Sequence, residues 1–562
     1  MEKPVRALII IFILTVFMIG GCSKYNSDEK QLAFHIQQHV NIVRPLMHQK
    51  TCASWRADSS GHKEAYNRQA EIEMQLRSVY TDSAKFYVFK NFHESDMIKD
   101  PLLKRQAAIL YQLFQSNQIE PELLKKIVDK SSLVRGKFNT FRGSIHNVKV
   151  SNSEIIHILR HETDSRKRKE AWIAGKQVGS VVARDLIDLI KLRNKAAREL
   201  GYENFHTMSL ALSDQDLTRL TTLFDELATL TEASFRNIKA EMDSALAERY
   251  GVGVAGLMPW HYNDLFFQDA PVVADVDLDA YYKNVNIVNL ATDFFKSINL
   301  NVDSIIEASD LFERDGKYPH AYSEDMDRYG DVRIMANLSN DSQSMETLLH
   351  ELGHAVYDSH FAPDLPFLLR QPAHSFITEG IAIFFERMHL HPSWFRDILK
   401  INEDEITSIS DEIRKNLIWN RLVFARWAQV MFRFEQELYR DPDQNLNDVW
   451  WDIVEKYQLI QRPPHRNKPD WATKIHLTAY PVYYHNYMLG DLFASQLNAY
   501  IIKSVLNSKP DGQISYYNQR NMGRFLKQEV FKYGATYEWN DLVKHVTHEN
   551  LTASYFAQQF IE

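Results

Sequence analysis

The chain has 562 residues, of which 45% are hydrophobic and 12% aromatic. That is more than one compact core usually holds, so the length predicts two subdomains. The formal net charge is −8 and no basic tract is extended, which argues against a nucleic-acid partner.

The first predicted element is a cleavable leader, residues 1–21. Lys3 and Arg6 precede an apolar run at 7–19. As a helix this run rises only about 20 Å, too little for the ~30 Å hydrocarbon core of a bilayer. It ends in small residues before Cys22, the pattern of a bacterial lipoprotein signal.

This pattern predicts that Cys22 is lipidated and becomes the mature N-terminus, followed by a short polar tether up to residue 33. The protein would then be anchored by its lipid to a membrane of the bacterial cell envelope, with residues 34–562 outside the cytoplasm. The alternative is a plain secretory signal with an incidental cysteine. The other cysteine, Cys52, has no partner within the mature chain, so packing must hold the fold.

Residues 34–562 show mostly helical periodicity, which predicts a largely α-helical domain. The sequence GVGVAG at 251–256 matches G-x-G-x-x-G, but it follows a helical pattern rather than a strand. A loop is therefore predicted there, not a dinucleotide site. The clearest strand prediction is 331–339.

The next predicted element is an amphipathic helix that carries HELGH at 350–354. His350 and His354 are spaced i and i+4, so they project from one face and can share a zinc ion. Glu351 lies beside them and can take a proton from a zinc-bound water, the chemistry of a peptide-bond hydrolase. Gly353 is costly inside a helix, so we expect another segment to pack closely against it.

The third zinc ligand has two candidates. His360 lies ten residues after His350, about 15 Å along a continuous helix, and cannot reach the same ion. Glu379 begins a second predicted helix after a proline-rich turn. A His–His–Glu set leaves a fourth position for water, as a catalytic zinc requires, so Glu379 is the predicted ligand.

Several blocks of the sequence, taken together, resemble the peptidyl-dipeptidase A family, the family of angiotensin-converting enzyme. The resemblance covers about residues 35–562, and its strongest blocks are 319–334, 331–354, 365–380, 450–451 and 474–487. The last block also resembles the thimet-type oligopeptidases, a related family.

The resemblance implies a mostly α-helical, two-lobed zincin-type peptidase with a deep central channel and a small β-element beside the zinc helix. It implies one zinc ion per chain, held by His350, His354 and Glu379, with Glu351 as general base and later general acid. The implied partners are oligopeptides.

The resemblance also implies how a peptide is held. His320 would bond a substrate carbonyl, and the backbone at Ala321 would pair with the peptide like an added strand. His476 would steady the scissile region. Lys474 would capture the free C-terminal carboxylate, for which an ammonium is a suitable point charge.

A tyrosine pair spaced by three completes the implied site. Tyr487 would donate a hydrogen bond to the oxyanion, and Tyr484 would help to hold the substrate's C-terminus. Tyr480 and Tyr483 form a rival pair with the same spacing, so the register stays open.

The sequence departs from the family pattern at two places. Val454 and Asn486 stand where the family has chloride-binding arginines, so chloride dependence is not predicted. Ile383 stands where an acidic residue often supports a zinc histidine. Asp358 and Glu386 are the candidates to replace it.

These features predict a lipid-anchored zinc metallopeptidase that releases C-terminal dipeptides from oligopeptides. The nearest alternative is a thimet-type oligoendopeptidase, which cuts internally and ignores the free C-terminus. An alternative from another class is a non-catalytic peptide-binding lipoprotein, although such a protein has no use for Glu351 beside a zinc site.

Overall fold

The computed structural model describes residues 25–271, 276–508 and 514–560. The predicted leader and Cys22 lie outside the described residues. The chain opens with helices that form an N-terminal layer, namely α1 (Ser27–Ser60), α2 (Lys63–Tyr80), α3 (Ser83–Glu94) and α4 (Pro101–Gln115).

The N-terminal layer, α1–α4, has a hydrophobic core of its own. Phe89 and Phe114 are almost completely buried in it, and Phe367 and Leu368 of a later turn close it. The start of α1 is fixed by a capping box between Asn26 and Glu29, which satisfies backbone donors that the helix leaves free.

The following segment contains one short hairpin and the long helix α7. Its elements are α5 (Pro121–Thr140), β1 (Gly143–Ile145), β2 (Val148–Val150), α6 (Asn152–His161), α7 (Ser165–Glu199), α8 (Phe205–Ala211), α9 (Leu217–Leu230) and α10 (Glu232–Tyr250). Residues 251–256 form a loop with one 3-10 turn after α10, so the prediction of a loop there is confirmed.

The segment before the HELGH sequence ends in a second antiparallel hairpin. Its elements are α11 (Asp279–Tyr282), α12 (Ile287–Ser297), α13 (Asp303–Ala308), β3 (Tyr322–Asp325) and β4 (Val332–Met335). Tyr322 pairs with Met335 and Asp325 with Val332. The strand predicted at 331–339 is thus confirmed over its first half only. Tyr322 also donates a hydrogen bond to Asp58 of α1 (2.9 Å).

The rest of the chain is helical. Its elements are α14 (Ser342–Asp358), α15 (Ser375–Glu386), α16 (Pro392–Asp397), α17 (Glu403–Arg440), α18 (Leu446–Gln458), α19 (His476–Ala479), α20 (His485–Tyr500), α21 (Arg520–Phe525), α22 (Trp539–Thr547) and α23 (Ser554–Gln558). One large core joins these helices to α5–α13.

The architecture confirms the predicted fold class, a mostly helical protein with a small β-element beside the HELGH helix. The division of residues 34–562 into two subdomains around one cleft stays a prediction. Within the described ranges, no helix combines the length and hydropathy that a membrane span requires.

Helices α14, α15 and α20 meet at a tight junction made by glycines. A Cβ added at Gly353 would lie 2.7 Å from the Cα of Ala382, and one at Gly380 would lie 2.6 Å from the Phe493 ring. A Cβ at Gly490 would lie 3.1 Å from the Cβ of Glu379. The close packing expected at Gly353 is therefore present, and it brings α15 against α14.

Candidate metal centre

Helix α14 presents one polar face within a buried setting. Asp341 caps the helix by accepting a hydrogen bond from the Ser344 amide (2.6 Å). The flanking apolar side chains of α14 are buried, among them Leu348, Leu352 and Val356. This packing fixes the rotation of the helix, so its histidines face α15.

The nitrogens of the two histidines and one carboxylate of α15 converge on a single point. His350 Nε2 lies 3.2 Å from His354 Nε2. Glu379 Oε2 lies 3.7 Å from the first nitrogen and 3.9 Å from the second. Among the described residues, this is the one group of three histidine, cysteine or acidic side chains close enough to hold a metal ion.

The other ring nitrogens of these histidines are held from outside. His350 Nδ1 lies 2.6 Å from Glu386 Oε2, and His354 Nδ1 lies 2.7 Å from the Thr378 hydroxyl. Such contacts fix the ring orientation and leave each Nε2 free to bind a metal. Of the two acids considered from the sequence, Glu386 therefore contacts the histidine and Asp358 does not.

His360 lies apart from this group. Its Nδ1 is 2.8 Å from the carbonyl of Val356, and its ring packs near Phe531. Helix α14 continues to Asp358 without a sharp turn after His354, which is why His360 cannot swing back.

The electrostatics of the cluster suit a divalent cation. Burial raises the pKa of Glu351 to about 7, and burial also raises the pKa of Glu379. Burial opposes a charge on His350, but the hydrogen bond and charge of Glu386 outweigh it and raise its pKa to about 9. Burial and the neighbouring His350 hold the pKa of His354 well below its usual range. The carboxylates of Glu351, Glu379 and Glu386 surround the two imidazoles and form a negative site. The set of two histidines and one glutamate is one that zinc accepts.

A cavity of about 780 Å³ extends from this cluster. His350 and Glu379 line one side of it, and Lys474, His476 and Tyr487 line another. We call it the metal-side cavity. Its volume is in the range of binding pockets for small organic ligands.

Lys474 is held in this cavity by polar and aromatic neighbours. Its Nζ donates a hydrogen bond to Gln268 Oε1 (2.7 Å) and lies 5.2–5.3 Å from the ring centroids of Tyr484 and Trp427. Burial lowers its pKa to about 8, although Asp264 and Asp269 favour the charged form. A cation at this place can meet a carboxylate without a long side-chain reorganisation.

The comparison with known proteins agrees with this geometry. A family model of peptidases, described as angiotensin-converting enzyme, matches residues 26–262 and 270–560. The chain belongs to the angiotensin-converting enzyme family of zinc metallopeptidases.

Two relatives show how distant the family members are. The chain is 24% identical over 574 residues to the angiotensin-converting enzyme of Mesocricetus auratus, covering 93% of this chain and 42% of that protein. It is 23% identical over 582 residues to that of Rattus norvegicus, covering 95% and 43%. The chain thus spans less than half the length of these two relatives.

The tyrosines fall on different sides of the metal-side cavity. Tyr484 and Tyr487 line it, and the Tyr484 hydroxyl accepts a hydrogen bond from Trp427 (2.7 Å). Tyr483 stacks edge-on against Tyr487 but does not line the cavity, and Tyr480 is 60% exposed. The geometry therefore favours the pair Tyr484 and Tyr487 over its rival.

The remaining predicted substrate residues lie in two places. His476 packs against Tyr484 in the metal-side cavity, with ring centroids 5.0 Å apart. His320 is exposed and packs on Tyr318. His320 and Ala321 both precede β3. Neither of these two lines the metal-side cavity. The hairpin nevertheless reaches the cluster, because Glu351 accepts a hydrogen bond from the backbone of Ser323.

Two groups of residues in the metal-side cavity were not predicted from the sequence. Gln268 comes from the irregular segment after α10, and no periodicity or motif marks it. Arg387 and Arg421 both bond Asp491 in the cavity wall, and these residues are far apart in sequence. Only the packing of the turn after α15 against α17 and α20 brings them together.

Proposed function

We propose that this protein is a zinc-dependent peptidase that removes dipeptides from the free C-termini of oligopeptides. The observation that carries the proposal is the convergence of His350, His354 and Glu379 beside a cavity that also contains Lys474. Family membership supports peptide-bond hydrolysis, and the lysine supports recognition of a free carboxylate.

The donor atoms of His350, His354 and Glu379 would hold the zinc ion. When bound, zinc supplies Lewis-acid polarisation of a peptide carbonyl and favours deprotonation of water near neutral pH. The remaining chemistry belongs to side chains of this chain.

Glu351 is suited to move the proton. It is 7% exposed, directly follows His350 on α14 and is hydrogen-bonded by the Ser323 backbone. Its carboxylate would take a proton from the attacking water and pass it to the departing amine. Burial raises the pKa of Glu351, which suits a carboxylate that must accept a proton and later release it.

Tyr487 and His476 would act on the reacting carbonyl. A phenol in this cavity can donate a hydrogen bond to the developing oxyanion, and such donors typically contribute about 10²–10³-fold to the rate. Tyr487 lines the metal-side cavity. Burial, with a smaller contribution from the charge of Glu379, raises its pKa, so it remains a donor at neutral pH.

Lys474 sets the distance between the scissile bond and the C-terminus. With Gln268 and Tyr484 beside it, its ammonium would bind the terminal carboxylate. Binding of the C-terminus near the metal centre would allow only a short C-terminal fragment to leave, and the family to which the chain belongs is the basis for proposing that this fragment is a dipeptide.

The first experiment uses the zinc-loaded full-length protein and one unstructured decapeptide, as the free acid and as its amide, with product mass spectrometry. Stepwise loss of two residues, much faster from the free acid than from the amide, supports the proposal. Internal cuts in both peptides would instead make it an oligoendopeptidase. Cleavage of neither would favour a peptide-binding lipoprotein.

Two variants assign the roles. Glu351→Gln should abolish turnover while zinc content stays at one ion per chain, and turnover that survives would overturn the mechanism. Lys474→Ala should reduce kcat/KM on the free acid and not on the amide. Lys468→Ala, which removes an exposed lysine nearby, is the matched control.

We also propose that the protein is anchored through a lipid on Cys22. Helix α1 begins at Ser27, so the tether would be short and the N-terminal layer would lie near the membrane surface. Metabolic labelling with a fatty acid should mark the wild type and not Cys22→Ala. Equal labelling of both would refute the anchor.

A further inference from the structure

A second cavity, of about 230 Å³, lies at the other end of helix α14. Glu346, one turn before His350, lines the metal-side cavity, whereas Asp358, one turn after His354, lines this one. We call it the hairpin cavity, because β3 forms one wall and α1 another. The metal centre therefore lies between the two cavities along α14.

The hairpin cavity contains acidic side chains that form no ion pair, although Arg328 lies near enough to favour their ionised forms. Asp358 Oδ1 is buried and has no hydrogen-bond partner. Within the described parts of the chain, no ion pair reaches Glu324, Asp325 or Asp358. Asp325 accepts hydrogen bonds only from backbone amides, the shorter from Arg328 (2.7 Å). Burying carboxylates without compensation is costly.

The arginines that also line this cavity are engaged elsewhere. Arg370 donates to the carbonyls of Leu365 (2.9 Å) and Arg328 (3.3 Å) and lies over the Tyr329 ring. Arg328 donates to the Phe367 carbonyl and to Gln371. Arg44 also lies over Tyr329. Their guanidinium groups hold the backbone and rings together and do not form ion pairs with the acids.

The protonation of the acids agrees with this imbalance. Burial raises the pKa of Glu324 to about 7 and that of Asp325 to about 6, and it raises the pKa of Asp358 well above its usual range. Lys50 and Arg328 favour the ionised forms but are too weak to reverse these shifts. A further cation inside the cavity would offset them.

We propose that the hairpin cavity binds a basic side chain of the substrate, lysine or arginine, from a residue that precedes the scissile bond. This inference rests on the proposed function, because the direction of the peptide follows from its C-terminus being held at Lys474. The chain then runs from the metal-side cavity past the metal centre towards the hairpin cavity.

The shape and lining of the hairpin cavity fit such an occupant. Its volume is below the range of about 300–1,000 Å³ for pockets that enclose a whole small ligand, so it accommodates one side chain. Met47, Phe361 and Phe367 line it and can contact the aliphatic stem of a lysine or arginine while its head reaches the carboxylates. The carboxylates do not converge as the three ligands of the metal centre do, which favours an organic cation over a metal ion.

The test compares arginine with citrulline, its neutral isostere, at each of the four residues before the scissile bond of one free-acid peptide. At one of these positions, the zinc-loaded full-length protein should cleave the arginine peptide with a kcat/KM about tenfold higher than that for the citrulline peptide. The double variant Glu324→Gln/Asp358→Asn should reduce this preference below about threefold and leave kcat/KM on the citrulline peptide unchanged. Asp331→Asn removes one charge from the same hairpin outside the cavity lining and should keep the preference.

Other outcomes would overturn the inference. Equal cleavage of arginine and citrulline peptides at every position, or a preference that survives in the double variant, removes the proposed role of the cavity. Mg²⁺ or Ca²⁺ could instead raise the Tm of the wild type, without a rise from arginine peptides. If the double variant lost this rise, the cavity would be a metal site.

A binding measurement separates this inference from the proposed function. Zinc-loaded Glu351→Gln should bind a fluorescent arginine peptide about tenfold more tightly than its citrulline analogue, whether or not the wild type proves to be a peptidase. Equal binding of the two peptides by Glu351→Gln contradicts the inference alone. If the wild type cleaves neither peptide while Glu351→Gln still prefers the arginine peptide, only the proposed function is contradicted.

Discussion

The junction of α14, α15 and α20 and the N-terminal layer α1–α4 are packed in different ways. At the junction, backbone meets backbone, because Gly353 and Gly380 leave no room for a Cβ. In the N-terminal layer, contact is made by aromatic rings: Phe114 stacks on Phe89 and meets Tyr80 edge-on. Several of its large apolar side chains are exposed, including Phe34 at 61% and Met74 at 72%.

The difference follows from what each region must hold. Three metal ligands on two helices keep their separation only if the helix axes are fixed, and backbone contacts fix them more closely than flexible side chains do. The N-terminal layer carries none of these ligands. It covers the hairpin and contributes α1 to the hairpin cavity.

The largest effect is expected from Phe114→Ala. Phe114 is completely buried in the core of the N-terminal layer, and such a truncation typically costs about 3–5 kcal/mol. Because this core is separate from that of the junction, hydrogen exchange should accelerate in α1–α4 while bound zinc stays at the wild-type level. Phe34→Ala, at an exposed position of α1, is the control with little expected change.

Zinc loss in Phe114→Ala that parallels the loss of protection would contradict the separation of the two regions. The layer would then be part of the same cooperative unit as the metal centre.

The second effect concerns Gly353→Ala. The new methyl group would overlap Ala382 at 2.7 Å, and overpacking of this kind costs about 1–3 kcal/mol. Separation of α14 from α15 would move Glu379 away from the histidines, so both the Tm and zinc affinity should fall. Gly136→Ala is the matched control, because nothing lies within 4 Å of its added Cβ, and the helical propensity of alanine should stabilise α5 by up to about 1 kcal/mol.

If Gly353→Ala lowers Tm and leaves zinc affinity unchanged, the junction stabilises the fold without setting the ligand geometry. Equal effects in Gly353→Ala and Gly136→Ala would show that the close approach has no energetic weight.

The third effect concerns the acid behind His350. Glu386→Ala removes the partner of His350 Nδ1 at 2.6 Å, and loss of such a partner typically lowers metal affinity about 10–100-fold. Glu346→Ala is the control, because Glu346 is a half-buried carboxylate of the same cavity that does not bond a histidine ring. Chelator competition measures both, and equal losses would attribute the effect to charge alone rather than to ring orientation.

The sequence predicted what local spacing determines. The i, i+4 histidines, the neighbouring glutamate and the helix after the proline-rich turn are features of one continuous segment, 342–386, and the structure brings Glu379 to the histidines. The close approach at Gly353 also followed from one residue, because glycine inside a helix is costly without a reason.

Other contacts depended on tertiary packing and could not be predicted. Glu386 and Asp358 were equal candidates from the sequence, and only the rotation of α15 against α14 separates them. Gln268 and Lys474 meet across about two hundred residues, and neither the irregular segment nor the lysine has a periodicity that reports the other. That no described residue forms an ion pair with Asp358 is likewise a property of packing.

The smallest predicted effect concerns a third kind of packing, the wall of side chains around Lys474 that Gln268, Tyr484 and Trp427 form. Its pKa, lowered by burial to about 8, means that the ammonium is mostly charged at pH 7 and mostly neutral at pH 8.5. If this charge binds the terminal carboxylate, KM for a free-acid peptide should rise about fourfold over that interval, following the protonated fraction, while KM for the amide stays constant. Lys474→Arg keeps its charge throughout and should abolish this rise. A parallel rise for the amide would assign the titration to another group and leave the wall around Lys474 as packing without a role in recognition.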